Sequence, residues 1–172
     1  MGVAKGGVVS AMVVQTDVGA RDLELLRRSF DVAAAARARG CHPFGAVLAG
    51  PDGMVLMEQG NDHASGDRTA HAERTLMARA SQQYDAAFLA GCTMYTSAEP
   101  CAMCAGAVYW VGVGRVIYAM SEAELKALIG PHPQNLTMDL PCRVVLGAGQ
   151  RRVAVAGPLL EHEARAVHEG FW

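Results

Sequence analysis

Two stretches decide how this chain reads: Thr69-Ala70-His71-Ala72-Glu73 and Ser97-Ala98-Glu99-Pro100-Cys101-Ala102-Met103-Cys104. Each stands where a helix is expected to begin. Thr69 is a capping residue before a helix expected over about 70–80. Pro100 suits the first position of a second helix, expected to run to about Val111. Cys101 and Cys104 are three apart, so they share one helix face, and their thiolates are soft ligands suited to zinc. The positive end of a helix lowers thiol pKa and favours the metal-binding form. His71 and Glu73 are two apart, about 200° of rotation at ~3.6 residues per turn. They can serve one site only if it lies off the N-terminal end of their helix. The spacing therefore predicts that two helix N-termini converge, one bringing His71 and the other the cysteines.

Working outward, residues 1–20 show no clean periodicity and read as a loose N-terminal arm, with one domain over 21–172. Leu23, Leu26, Phe30 and Ala33 or Ala34 recur at helical spacing, and Gly40 stands where that helix would stop. Phe44 to Ala49 and Met54 to Glu58 read as a hairpin around the turn signal Pro51-Asp52-Gly53. Thr93 to Thr96 and Arg115 to Ala119 are two more expected strands. Ser121 and Glu124 form a capping-box pair for a short helix to Leu128. A loop with three prolines spans Pro131 to Pro141. Val144 to Leu146 and Val153 to Val155 are candidate strands, and Leu159 to Glu169 a final helix. Strands alternating with helices, without a repeat or a linker, argue for an α/β layered sandwich.

Bulk properties fit one domain. The 172 residues are 51% hydrophobic and 19% charged, with a formal charge of −2. That is ordinary for a chain with a buried core. Arginines are scattered rather than arranged in a basic stripe, which favours a small-molecule substrate over nucleic acid. The five cysteines include only one closely spaced pair. No secretory signal is convincing and no run approaches the ~18 apolar residues of a membrane span. A reducing, cytoplasmic setting is expected, in which clustered cysteines bind metal rather than form disulfides.

His71, Cys101 and Cys104 make three ligands for one zinc ion per chain, and the fourth tetrahedral position is left for water, the mark of a catalytic site. Zinc brings the pKa of such a water near 7. Glu73, not a ligand, is expected to take the water proton, pass it to a ring nitrogen and then to the leaving amine. The product is a keto base and ammonia. The competing readings are a structural zinc site or two cysteines packed at a helix start. A structural site wants four protein ligands, and Cys41, Cys92 and Cys142 have no matching spacing.

The pattern His-x-Glu followed by Pro-Cys-x-x-Cys is that of zinc nucleobase deaminases. From about residue 22 to 125 the chain resembles the cytidine and deoxycytidylate deaminase superfamily, most of all its guanine deaminase and tRNA adenosine deaminase branch. The likeness is carried by Pro43-Phe44-Gly45-Ala46-Val47, by Thr69 to Glu73 and by Tyr95 to Ala107. It implies a three-layer α/β/α sandwich around a mixed five-stranded sheet, usually in a homodimer. It also implies pocket roles: Asn61 hydrogen-bonding the base, Phe44 packing on its plane, the Ala72 backbone N–H meeting its polar edge, and Trp110 beside a purine. Each has a plainer alternative. Asn61 would be a turn residue, and Phe44 and Trp110 would be core aromatics.

Some features depart from the branch. The Phe-Asp-Asp element of bacterial guanine deaminases is missing after Ile129, where Gly130-Pro131-His132-Pro133 follows. The basic C-terminal helix of tRNA-acting members is also missing. Phe171 and Trp172 would either close a partner's pocket, as in guanine deaminases, or dock on their own core or dimer interface. The favoured activity is zinc-dependent hydrolytic deamination of a nucleobase or nucleoside, guanine-like purines first. A tRNA adenosine deaminase, a cytosine or other azine-base deaminase, and a non-catalytic scaffold are the rivals.

Overall fold

The computed structural model describes residues 13–14, 16–133 and 135–172. Its centre is one sheet with helices on both faces. The strands are β1 (Val13–Val14), β2 (Gly45–Ala49), β3 (Val55–Gly60), β4 (Thr93–Ala98), β5 (Arg115–Met120) and β6 (Val153–Ala156). Their order is β1-β6-β5-β4-β2-β3. β2 is antiparallel to β3 and β4, while β4, β5, β6 and β1 run parallel. The expected mixed five-stranded sheet is thus β2 to β6, and β1 extends it by two residues. Most of the arm expected over residues 1–20 lies outside the described residues.

The helices are α1 (Ala20–Ala38), α2 (Ala72–Gln83), α3 (Ala86–Leu89), α4 (Ala102–Val111), α5 (Glu122–Ile129), α6 (Cys142–Gly147) and α7 (Glu161–Arg165). Strand alternation separates two cores. Ala46, Leu48, Met94, Val116 and Tyr118 point to one face, under Leu76, Met77, Ala105, Val108 and Leu146. Val47, Ala49, Tyr95, Ile117 and Ala119 point to the other, under Leu25, Leu26, Phe30, Leu125 and Ala164. This is the three-layer α/β/α sandwich. Strands buried on both faces read as continuous apolar runs, which is why they were visible in the sequence.

Three local expectations are corrected. Residues 144–146 are helical, within α6, and not a strand. A short apolar run does not distinguish the two by periodicity, and the Cys142 N–H at the start of α6 is held by Glu99 Oε1 at 2.9 Å. The buried face of α1 carries Leu26, Phe30 and Ala33 as expected and adds Leu25, Ser29 and Ala36, while Leu23 is half-buried and Ala34 exposed. The final helix breaks at Arg165, and a 3-10 turn, Ala166–His168, follows. The capping box at Ser121 forms only in half. Its hydroxyl accepts the Glu124 N–H (3.3 Å), but its own N–H goes to Glu161 of α7 (2.9 Å).

Two contacts fix α1 on the sheet. A Cβ on Gly45 would lie 2.4 Å from the Ser29 carbonyl oxygen and 2.5 Å from Ala33 N, so α1 backbone lies directly against the start of β2. At its N-terminus, Asp22 accepts from Arg115 of β5 (2.7 Å), Tyr95 of β4 (2.7 Å) and Gly19 N–H (2.9 Å). Burial would raise the Asp22 carboxyl, but these donors outweigh it and hold the group below its ordinary value.

Gly45→Ala should displace α1 and cost about 1–3 kcal/mol, as overpacking does; urea denaturation reads this. Because the folded Asp22 pKa is depressed, its stabilisation is fully present above the unfolded value of about 3.9 and is lost as pH falls through the folded value. The stability gap between wild type and Asp22→Asn should therefore shrink below about pH 4. A gap independent of pH would contradict the role given to Asp22.

Candidate active site

The sheet topology brings the start of β2 and the ends of β3, β4 and β5 to one edge. The segments leaving that edge carry the site. Phe44 precedes β2, Asn61 follows β3, Cys101 follows β4, and Glu122 follows β5. α2 and α4 pack together and aim their N-termini at the same place. His71 is the N-cap of α2 and Cys101 the N-cap of α4. Both helix starts thus fall two residues later than Thr69 and Pro100 implied. Thr69 instead donates to Asp67 through N (2.8 Å) and Oγ1 (2.6 Å).

His71 Nδ1 lies 3.6 Å from Cys101 Sγ and 3.6 Å from Cys104 Sγ. Tetrahedral zinc at ~2.0–2.1 Å from nitrogen and ~2.3 Å from sulfur puts such atoms about 3.5 Å apart. The donor set therefore fits zinc in both chemistry and spacing. Among the described residues no other group of His, Cys, Asp and Glu has metal-binding geometry. Contact with Cys104, then with His71, draws the Cys101 thiol down to about 4. Cys104, sharing that contact and buried, is pushed well up. One thiolate is thus ready at neutral pH, and a bound cation secures the second.

Glu73 is buried, in the first turn of α2. Thr96 Oγ1 donates to its Oε1 at 3.0 Å, and its Oε2 lies 3.6 Å from Cys104 Sγ. Burial, with the Cys101 thiolate nearby, raises the Glu73 carboxyl. A carboxyl so raised and held beside the ligand cluster is suited to accept and return a proton. Zinc held here supplies Lewis acidity that makes hydroxide available near neutral pH.

A cavity of about 280 Å³ opens on these groups, and Phe44 and Asn61 line it, as expected. Asn61 Oδ1 accepts the His63 N–H at 3.0 Å, an Asx-type turn bond. Among the described residues its amide NH₂ has no protein partner. The turn role and the pocket role are therefore compatible. Phe44 is backed by His168 and Trp172, with centroids at 5.2 and 6.1 Å. Trp172 Nε1 donates to His168 Nδ1 at 3.1 Å, so the C-terminus docks on its own chain behind the pocket wall. Ala72 is the first residue of α2, so its backbone N–H is a first-turn donor without an intrahelical partner, but the residue is fully buried and is not among those lining the cavity.

Trp110 is not brought to the pocket. It is 84% exposed. The reason is helical geometry: six residues beyond Cys104, it lies about 9 Å along α4 and on another face. Several pocket residues were not foreseen. His42 stacks on His63 at 3.8 Å, and burial, then neighbouring His63, His71 and His132, hold it down to about 4. Glu99 and Glu122 also line the cavity, and Thr96 reaches it only through Glu73, to which it donates; no role was expected of these three. His42, beside Pro43-Phe44, and Thr96 and Glu99, within the stretch from Tyr95 to Ala107, carried a local signal; Glu122 carried none.

Cys101→Ser, or a chelator, should remove zinc and lower the thermal midpoint, because ligands from two helices lose their common partner. Glu73→Gln should keep zinc and fold yet lower kcat by at least about 10²-fold. Metal analysis beside turnover separates the two cases.

Comparison with known proteins agrees with this geometry. The profile of the cytidine and deoxycytidylate deaminase zinc-binding region matches residues 20–120. A probable cytosine deaminase of Schizosaccharomyces pombe is 38% identical over 158 residues, 91% of this chain and 96% of that protein. Guanine deaminase of Bacillus subtilis is 45% identical over 83 residues, 48% of this chain and 53% of its own. Among solved structures, a NE0047 variant in complex with 8-azaguanine superposes with a TM-score of 0.68 at 25% identity, covering 83% of this chain and 81% of that one. With the zinc-ligand set and Glu73 in place, the chain belongs to the cytidine and deoxycytidylate deaminase family of zinc-dependent hydrolytic deaminases.

Proposed function

We propose that the chain hydrolyses the exocyclic amine of a free nucleobase or small nucleoside, guanine-like purines first, and releases ammonia. The observation that carries this is the single cavity joining His71, Cys101 and Glu73 to Asn61 and Phe44. At about 280 Å³ it is at the small end of ligand sites, which run from about 300 Å³ upward. In this reading Phe44 holds the ring plane, Asn61 orients its polar edge, and Glu73 carries the proton to the ring nitrogen and then to the departing amine.

The guanine preference draws support from the Bacillus subtilis relative and the 8-azaguanine complex. A second reading, cytosine, is favoured by the Schizosaccharomyces pombe relative, whose likeness extends over nearly the whole chain. The −2 charge disfavours tRNA. All five cysteines are free, in keeping with a reducing, cytoplasmic setting. No helix among the described residues is long and apolar enough to cross a membrane. The exposed Trp110 on α4 supports a homodimer, since tryptophan is enriched at such surfaces.

Ammonia release by the zinc-loaded protein tests the proposal against guanine, adenine, cytosine, their nucleosides, related azine bases and a tRNA control. Turnover of one free base, lost in Glu73→Ala, is expected. Release from tRNA alone would replace the proposal with a nucleic-acid substrate. Equal turnover by Glu73→Ala would remove Glu73 from the mechanism.

A further inference from the structure

Glu122 is a buried acid that the chemistry above does not use. It is 8% exposed, opens α5 directly after β5, and lines the same cavity as Glu73 and Asn61. Its place is fixed from both ends. Glu99 Oε2 accepts its backbone N–H at 3.0 Å, and its own Oε1 accepts the Met138 N–H at 3.0 Å. Among the described residues no Lys, Arg or His forms an ion pair with it. Burial, in the main, pushes its carboxyl up to about 7, with the charges of Cys101, Glu99 and Glu73 adding to the effect. A buried carboxylate without a cation is costly unless donors satisfy it. One backbone N–H leaves most of its acceptor capacity unmet.

Position says what the missing donor is. In the sheet order, β4 and β2 stand between β5 and β3. At ~4.8 Å per strand the two outer strand ends are roughly 14 Å apart. Glu122 and Asn61 thus straddle the cavity from opposite sides, with the metal ligand Cys101 following β4 between them. A ring with its amine at the ligand cluster presents a remote edge to the rest of the cavity. A free base carries a ring N–H at the nitrogen that in a nucleoside bears the sugar. That N–H suits an anionic acceptor, whereas the glycosidic bond offers it no hydrogen.

We infer that Glu122 is a specificity-determining residue that accepts the ring N–H of a free base and so selects bases over their nucleosides. This rests on the functional reading above. The test compares the free base found in the panel with its analogue methylated at that nitrogen, in wild type and Glu122→Gln, with zinc content and thermal midpoint measured on both proteins. Gln can still accept from Met138, so fold and zinc should be unchanged.

Wild type should favour the base over the methylated analogue by roughly 10- to 100-fold in kcat/KM, the worth of one charged hydrogen bond. Glu122→Gln should lose most of that preference through a raised KM for the base, with activity on the analogue within about threefold of wild type. A wild type indifferent to methylation overturns the inference without any variant. So does a Glu122→Gln that keeps the preference, or that loses both activities equally. A wild type that turns over no base overturns the functional reading, and this one with it.

Discussion

α2 and α4 meet N-terminus to N-terminus at one edge of the sheet, and that junction governs the molecule. Two helix ends of partial positive charge repel unless something anionic lies between them. The chain puts Cys101, Cys104 and Glu73 there; contacts draw the Cys101 thiol down, while the Cys104 thiol and the buried Glu73 carboxyl are pushed up, so a cation between the helix ends favours their charged forms. Helix dipoles, thiolates, carboxylate and zinc form one electrostatic balance. The same junction is the cavity floor, so catalytic competence and helix packing depend on the same atoms.

The sheet supplies the precision. β2 is the antiparallel neighbour of both β3 and β4, so their relevant ends coincide, and β5 continues that edge in parallel to β4. Segments distant in sequence therefore leave the sheet side by side. Glu99 extends this order outward. Its carboxylate accepts the first N–H groups of both α5 and α6, so one side chain just before the metal ligand positions two helices of the outer layers. The 137–138 backbone is in turn held by Glu122, which links the cavity's roof to its wall.

The C-terminus closes the assembly from behind. His168 is buried and held neutral by burial, down to about 4, so it can accept from the Trp172 indole. Phe44 leans on both rings. The pocket face of that phenylalanine is thus set by residues more than 120 positions away. Such a wall is as rigid as the packing behind it.

Local chemistry alone determined much of this protein. Thiols three apart after a proline, a histidine two before a glutamate, and apolar runs of strand length are short-range signals. From them came the zinc ligands, the proton carrier, the convergence of two helix starts and the layered α/β architecture. Only the tertiary structure decided that residues 144–146 are helical, since that depends on a carboxylate 43 residues before Cys142. Spacing along α4 already carries Trp110 away from the ligand cluster, and the tertiary structure decided that it stands exposed rather than in the core, because which helix face is covered depends on what packs against it. The tertiary structure alone brought in Thr96, His42 and Glu122, whose roles come from strand order. Spacing along the chain records which atoms a local turn brings together. Which edge of a sheet those turns share is settled by long-range pairing, and no window of sequence contains it.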